Sequence, residues 1–227
     1  MIAVSAKTDL RPLFGPVRDQ GSRPTCLAFA ASDTHAALRD AWTILSCEYV
    51  FFQAQRRANR PPSAGALLSS MLDALRHDGQ PEETGWGYLS ATPEVAYWQP
   101  PAKAAPLFRR ASDSMNETVD KIIAELDQNR PVLVLMTLSR SFDMAGMTGI
   151  VDSVAAEVPD VARRHAVIAV AHGDINGQKA ILIRNSWGAS WGKGGYAWLT
   201  ESYLLPRVFR LAILKEDLSV STHSSAA

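Results

Sequence analysis

The spacing of apolar positions along this chain changes character once, near residue 130. Before that point apolar residues recur at helical intervals. Leu27, Phe29, Ala30, Ala37, Leu38 and Ala41 predict a helix over 26–41. Tyr49, Val50 and Phe52, behind a capping Ser46, predict a second to about residue 57. Leu67, Leu68, Met71, Leu72 and Leu75 predict a third over 65–77. A fourth follows Asn116 as cap and runs to about residue 128, with Val119, Ile122, Ile123 and Leu126 inward. Beyond Pro131 the runs are continuous or alternate, predicting strands over 132–138, 164–172, 179–185, 196–199 and 208–214. Asn176-Gly177 reads as the turn of a hairpin. Residues 79–112 show no period and read as a loop region pinned by aromatic residues, and 139–163 as a long connection that is functional or mobile. Residues 1–19 show no period either. Helices first and strands second give an α+β chain, not alternating βαβ units.

Composition narrows the function. With 227 residues, 47% of them hydrophobic and 20% charged, the chain can bury one large core or two small ones. The 23 basic and 23 acidic side chains balance and form no basic block, which argues against nucleic acid or an anionic membrane surface as a partner. No apolar run approaches the ~20 residues of a spanning helix, and the first ten residues lack signal-peptide organisation. The two cysteines, Cys26 and Cys47, stand 21 positions apart and match no zinc spacing, so neither metal nor cofactor is expected.

The stretch from Gln20 to Phe29 carries the chemistry. Arg23-Pro24 blocks helix before Thr25, a capping residue type, and Cys26 falls in the first helical turn. Unpaired N–H groups and the helix dipole there favour a thiolate. From this stretch alone, Cys26 is either that activated nucleophile or a small buried core residue. As a nucleophile it leaves no cysteine pair for a disulfide, which points to a reducing compartment and a cytoplasmic location. Cys47 reads as a buried residue with no basic neighbour in sequence. His35 lies on the helix face opposite Cys26 and reads as a surface or packing histidine.

A thiolate needs a base that holds and returns a proton. Period two puts His165 and His172 on opposite faces of the 164–172 strand, so one of them can face a given cleft. His165 stands at the strand entry. A hairpin through Asn176-Gly177 brings Asn185 to the same end of the ladder, where its carbonyl can orient the imidazole and Trp187 can shield the bond.

Gln20-Gly-Ser…Cys26-x-Ala-Phe29, His165-Ala-Val and Asn185-Ser-Trp-Gly188, with Trp191-Gly192, together resemble the papain-like cysteine peptidases. His165 follows Cys26 by 139 positions and Asn185 by 159. The resemblance implies a two-lobe fold: a helical left lobe over 20–110, a β-barrel-like right lobe from 1–19 and 111–215, an active cleft between them, and a flexible tail over 216–227. It implies Cys26 as nucleophile, His165 as base and acid, Asn185 as orienter, and Gln20 as oxyanion donor beside the Cys26 N–H. Trp187 would roof the Asn185–His165 bond, Trp191 would wall the leaving-group side, and Gly65 and Ala66 would border the peptide backbone.

The sequence departs from the family pattern at several points. Arg23 stands where the family usually has a disulfide-bonded cysteine, and the position of a second family cysteine falls near Gln53, so the family's disulfide framework is expected to be absent. Arg23, Pro24 and Thr25 are expected at the rim of the primary pocket, with Arg23 favouring acidic or polar side chains. Arg164 beside His165 is expected to disfavour imidazolium. Few residues precede Gln20, so restraint by a protein regulator or inhibitor, in place of a propeptide, is expected. The readings are a peptidase acting on protein or peptide; a different acyl-transfer enzyme on the same scaffold, such as a deamidase, a transglutaminase-like enzyme or a peptide ligase; or a non-catalytic binding module.

Overall fold

Two left-handed residues, Asn176 at φ 51° and Gly177 at φ 81°, close the hairpin that the Asn-Gly pair predicts. The computed structural model in which they lie describes residues 4–146 and 148–219. Its strands are β1 (Val4–Asp9), β2 (Arg110–Met115), β3 (Val132–Leu138), β4 (Ile150–Val151), β5 (Asp160–Ile175), β6 (Gln178–Arg184), β7 (Tyr196–Thr200) and β8 (Val208–Asp217). The helices are α1 (Cys26–Ala37), α2 (Cys47–Ala58), α3 (Leu68–Asp73), α4 (Val119–Leu126), α5 (Arg140–Asp143) and α6 (Glu201–Leu204). No helix among the described residues is long and apolar enough to cross a membrane.

The strands form one sheet in the order β2-β8-β3-β5-β6-β7-β4. It is open, with β2 and β4 at its ends, and not the barrel-like closure expected. β5 organises it. Along one edge β5 pairs first with β3 and then, from Ala171 on, with β1; along the other it pairs with β6. Both faces are covered. Val134, Val167, Ile183 and Leu211 join α4 and α6 in one apolar cluster, while Leu133, Ala166, Ile168 and Ala212 face α1, α2 and α3 in the other.

The helices differ from expectation at their ends. α1 is buried along nearly its whole length, so its stop is not readable from a polar face; it ends at Ala37. α2 matches, with the Ser46 hydroxyl accepting the Tyr49 N–H at 3.1 Å. The third helix begins at Leu68 and widens into a π turn over Ala74–Asp78. α4 is capped by Thr118, whose hydroxyl takes the Lys121 N–H at 3.1 Å, not by Asn116. Residues 1–19 and 79–112 were expected to lack strands, yet they hold β1 and the start of β2. Residues 216 and 217 extend β8, and 220–227 of the expected tail lie outside the described residues.

A bulge changes the histidines. Ala169 pairs with Ile183 but Ala171 pairs with Leu182, so Val170 is an extra residue. The alternation slips there. His165 and His172 therefore stand on the same face, not opposite ones, and His172 meets Asp127 after the last turn of α4 at 2.7 Å.

Candidate active site

Cys26 sits at the open mouth of α1. Thr25 precedes the helix, but its hydroxyl is shared with Tyr88 at 2.9 Å and does not cap it, and no acidic residue occupies the first turn. The helix amides therefore remain free beside the sulfur, and their partial positive charge acts on it. Burial pushes the Cys26 thiol up, while backbone groups of Ala166, Leu27 and Cys26 itself draw it part of the way back. The Ala166 contact matters most for the geometry, because it sets the sulfur against the residue that follows His165.

The arm leading to Cys26 is tied to the strand side of the site. Asp19 bridges Trp187, and the Gln20 N–H donates to the Ser186 carbonyl at 2.8 Å. The Gln20 side chain accepts from the Ser186 hydroxyl at 2.7 Å and gives one amide hydrogen to the Arg23 carbonyl at 2.9 Å. That leaves one amide hydrogen uncommitted.

His165 Nε2 lies 2.7 Å from Asn185 Oδ1. The Ser186 backbone N–H donates to the same Asn185 atom at 2.9 Å. A backbone N–H can only donate, so that atom is the carbonyl oxygen and Nε2 carries the imidazole proton. Nδ1 is then the basic nitrogen. Trp187 lies against the imidazole at 4.8 Å between centroids, tilted by 40°, and Phe142 meets both rings edge-on at 5.9 and 5.3 Å. This dry aromatic shell lowers the His165 pKa to about 4: burial dominates, the Asn185 bond opposes it, and Arg163 adds to it. The cation that acts is thus Arg163, not the expected Arg164, which lines the cleft with its guanidinium over Phe209.

Cys26 and His165 line one cleft of about 730 Å³. Pro24, Gly65 and Ala66 line it as expected. Arg23 and Thr25 do not: each is 1% exposed, and both belong to the packing beneath the nucleophile arm. The Arg23 guanidinium meets Glu48 at 2.5 and 3.0 Å and stacks on Phe51 and Tyr88, so it cannot select a substrate side chain. Trp191 is also no surface wall. It packs behind Phe142 at 4.8 Å and donates to the Phe142 carbonyl at 3.2 Å.

Several residues were missed. Phe142 comes from the 139–163 connection, where no period marked it. Leu135, Phe209 and Arg210 line the cleft from β3 and β8. Cys47 is buried as expected, but it has a basic neighbour after all: Arg18 Nη2 at 3.2 Å. Burial still dominates and pushes the Cys47 thiol up to about 12. His35 is fully buried, with burial pushing its pKa down to about 3.

Comparison with known proteins places the chain in a family. The family described as papain family cysteine protease matches residues 4–204. The oryzain gamma chain of Oryza sativa subsp. japonica is 27% identical over 194 residues, covering 81% of this chain and 51% of that protein. Pro-cathepsin H of Bos taurus is 26% identical over 188 residues, covering 80% and 54%. The chain thus spans about half the length of these relatives. Among solved structures, xylellain, a cysteine protease from Xylella fastidiosa, superposes with a TM-score of 0.73 at 20% identity, covering 94% of this chain and 87% of that one. Procathepsin L 3 of the Tenebrio molitor larval midgut superposes at 0.72 and 17% identity, covering 95% and 71%. The chain belongs to the papain family of cysteine proteases.

Proposed function

We propose that this chain is a cysteine peptidase that hydrolyses peptide bonds in proteins or peptides through an acyl-enzyme. In this reading His165 Nδ1 takes the Cys26 thiol proton as sulfur attacks the scissile carbonyl. The oxyanion is met by the Cys26 N–H and the free amide hydrogen of Gln20. The tetrahedral adduct collapses as His165 returns the proton to the departing amine, leaving a thioester on Cys26. A water deprotonated by His165 then attacks the thioester and releases the acid. Asn185 keeps Nδ1 basic throughout, and Trp187 keeps water from the Asn185 bond.

The observation that carries the reading is a helix-start sulfur, set against the Ala166 backbone, lining one cleft with an imidazole whose Nε2 is already committed. Both free thiols suit a reducing, cytoplasmic setting. A protein inhibitor seated in the same cleft is the form of regulation this reading favours.

The test is labelling with a thiol-directed epoxide followed by peptide mass spectrometry, beside mapping of new N-termini after incubating a proteome with wild type or Cys26→Ala. Labelling of Cys26 and new termini from wild type alone are expected. Labelling with release of ammonia or crosslinked product, but no new termini, would replace hydrolysis by acyl transfer. No labelling would make the fold a binding module.

A further inference from the structure

Three arginines, Arg60, Arg164 and Arg210, line the cleft together with Cys26 and His165, and no carboxylate among the described residues lines it. None of the three takes part in an ion pair among the described residues, although neighbouring arginines do: Arg163 pairs with Asp143 at 2.7 Å and Arg207 approaches Glu157 at 3.5 Å. Two of the three are positioned by the sheet. Leu135 on β3 pairs with Ala166 on one side and Arg210 on the other, so these residues share the cleft-facing side. Arg164, two positions before Ala166, falls on that side as well. The register of β3 and β8 then slips by one residue beyond Arg210, which brings Phe209 into the lining beside it. The Arg164 guanidinium stacks over the Phe209 ring at 5.5 Å, which holds it at the rim.

The cleft is thus an apolar floor of Leu72, Leu135 and Ala166 beneath unpaired guanidinium groups, on a chain whose formal net charge is zero. An aliphatic stem fits the floor, and a carboxylate fits the rim, where arginine offers paired donors. We infer that the cleft selects peptides carrying glutamate in the residues just before the cleaved bond, with Arg164 and Arg210 as the specificity-determining side chains. This rests on the peptidase reading for the direction of the chain, but the binding preference does not depend on turnover.

The test uses hexapeptides that differ only by Glu, Gln or Lys at the second residue before the cleaved bond. Turnover is measured with wild type, and binding by fluorescence anisotropy with Cys26→Ala. Glu is expected to exceed Gln by about tenfold in kcat/KM and in affinity, with Lys lowest. The ratio should fall severalfold between 20 and 300 mM salt, since exposed charge pairs are screened. In Arg164→Gln/Arg210→Gln the Glu-to-Gln ratio should approach one. The salt dependence of wild type provides the same reading if that variant does not fold. A Glu-to-Gln ratio near one in both measurements, or a ratio retained in the double variant, overturns the inference while peptide cleavage leaves the peptidase reading intact. A Glu preference in binding without cleavage of any peptide leaves the inference standing and removes the peptidase reading.

Discussion

Glu48→Gln is expected to destabilise the protein by about 3–5 kcal/mol, the usual cost of removing one partner of a buried ion pair. Glu48 is fully buried. Its carboxylate accepts four hydrogen bonds: two from Arg23 at 2.5 and 3.0 Å, one from the Leu89 N–H at 3.1 Å and one from Trp98 Nε1 at 2.7 Å. All are donors and each oxygen accepts two of them, so the glutamine NH₂ must face two donors, and the Arg23 charge remains buried without a counterion. With a urea slope of about 2–3 kcal/mol/M, the midpoint should fall by about 1–2 M. Arg23 lies three residues before Cys26, so alkylation of Cys26 should slow in the same variant at temperatures where it is still folded. Arg23→Met/Glu48→Gln is the informative control. It removes both charges, and the glutamine NH₂ can donate to the Leu89 carbonyl that Arg23 Nη1 vacates at 2.6 Å. The double variant should therefore be more stable than Glu48→Gln alone. A loss below 1 kcal/mol in the single variant, or additive losses in the double, would show that the pair is not the desolvated clamp described.

Other expectations follow from the same geometry. Asn185→Ala should lower kcat/KM by about 10- to 100-fold, the worth of a hydrogen bond to a group that becomes charged, with KM little changed; an unchanged kcat would remove its orienting role. Gln20→Ala should lower kcat by about 10²-fold or more, as loss of an oxyanion donor does. Because burial holds His165 near 4, the base is present above that pH and lost below it, so the acid limb of kcat/KM should fall near pH 4. The raised Cys26 thiol predicts that alkylation by iodoacetamide accelerates into the alkaline range; a plateau between pH 5 and 7 would instead reveal a preformed thiolate. His35, lowered to about 3 from 6.5, contributes stability that is full above pH 6.5 and is lost as pH falls toward 3. At pH 5 that loss is about 2 kcal/mol, and His35→Gln should flatten this part of the stability–pH curve.

What was legible in the sequence had a local cause. The Asn-Gly turn, the Ser46 cap and the apolar run of β3 each depend on residues a few positions apart, and each lies where expected. So does the facing of Asn185 toward His165, since strand alternation survives up to the bulge. The missed features depend on distant partners. β2 reads Arg-Ala-Ser-Asp-Ser-Met, too polar to announce a strand; it is an edge strand defined by its pairing with β8. Arg23 looks like a surface cation until Glu48, Phe51 and Tyr88 close around it. The bulge at Val170 leaves no mark in composition, yet it decides which way His172 faces.

The site exists because one stretch changes partners. β6 pairs with β5 up to Arg184, opposite Ile168, and then leaves the ladder. Of the next three residues, Asn185, Ser186 and Trp187, the first gives its backbone N–H to the Gly195 carbonyl, and the other two pair with the arm before Cys26 through Gln20 and Asp19. β5 therefore runs on past Ala166 without a strand along that edge, and the opening is where the mouth of α1 sets Cys26 against the Ala166 backbone. The same three residues hold the imidazole through Asn185, lie against it with Trp187 and anchor Gln20, the proposed oxyanion donor, through Ser186. Ser186→Ala tests this shared dependence. It removes one hydroxyl from Gln20 and touches neither Cys26 nor His165. It should lower kcat by about tenfold through the loosened amide while leaving the acid limb near pH 4 in place, because that limb is set by the burial of His165 and by Asn185. A shifted limb would mean that Ser186 acts through the imidazole and not through Gln20.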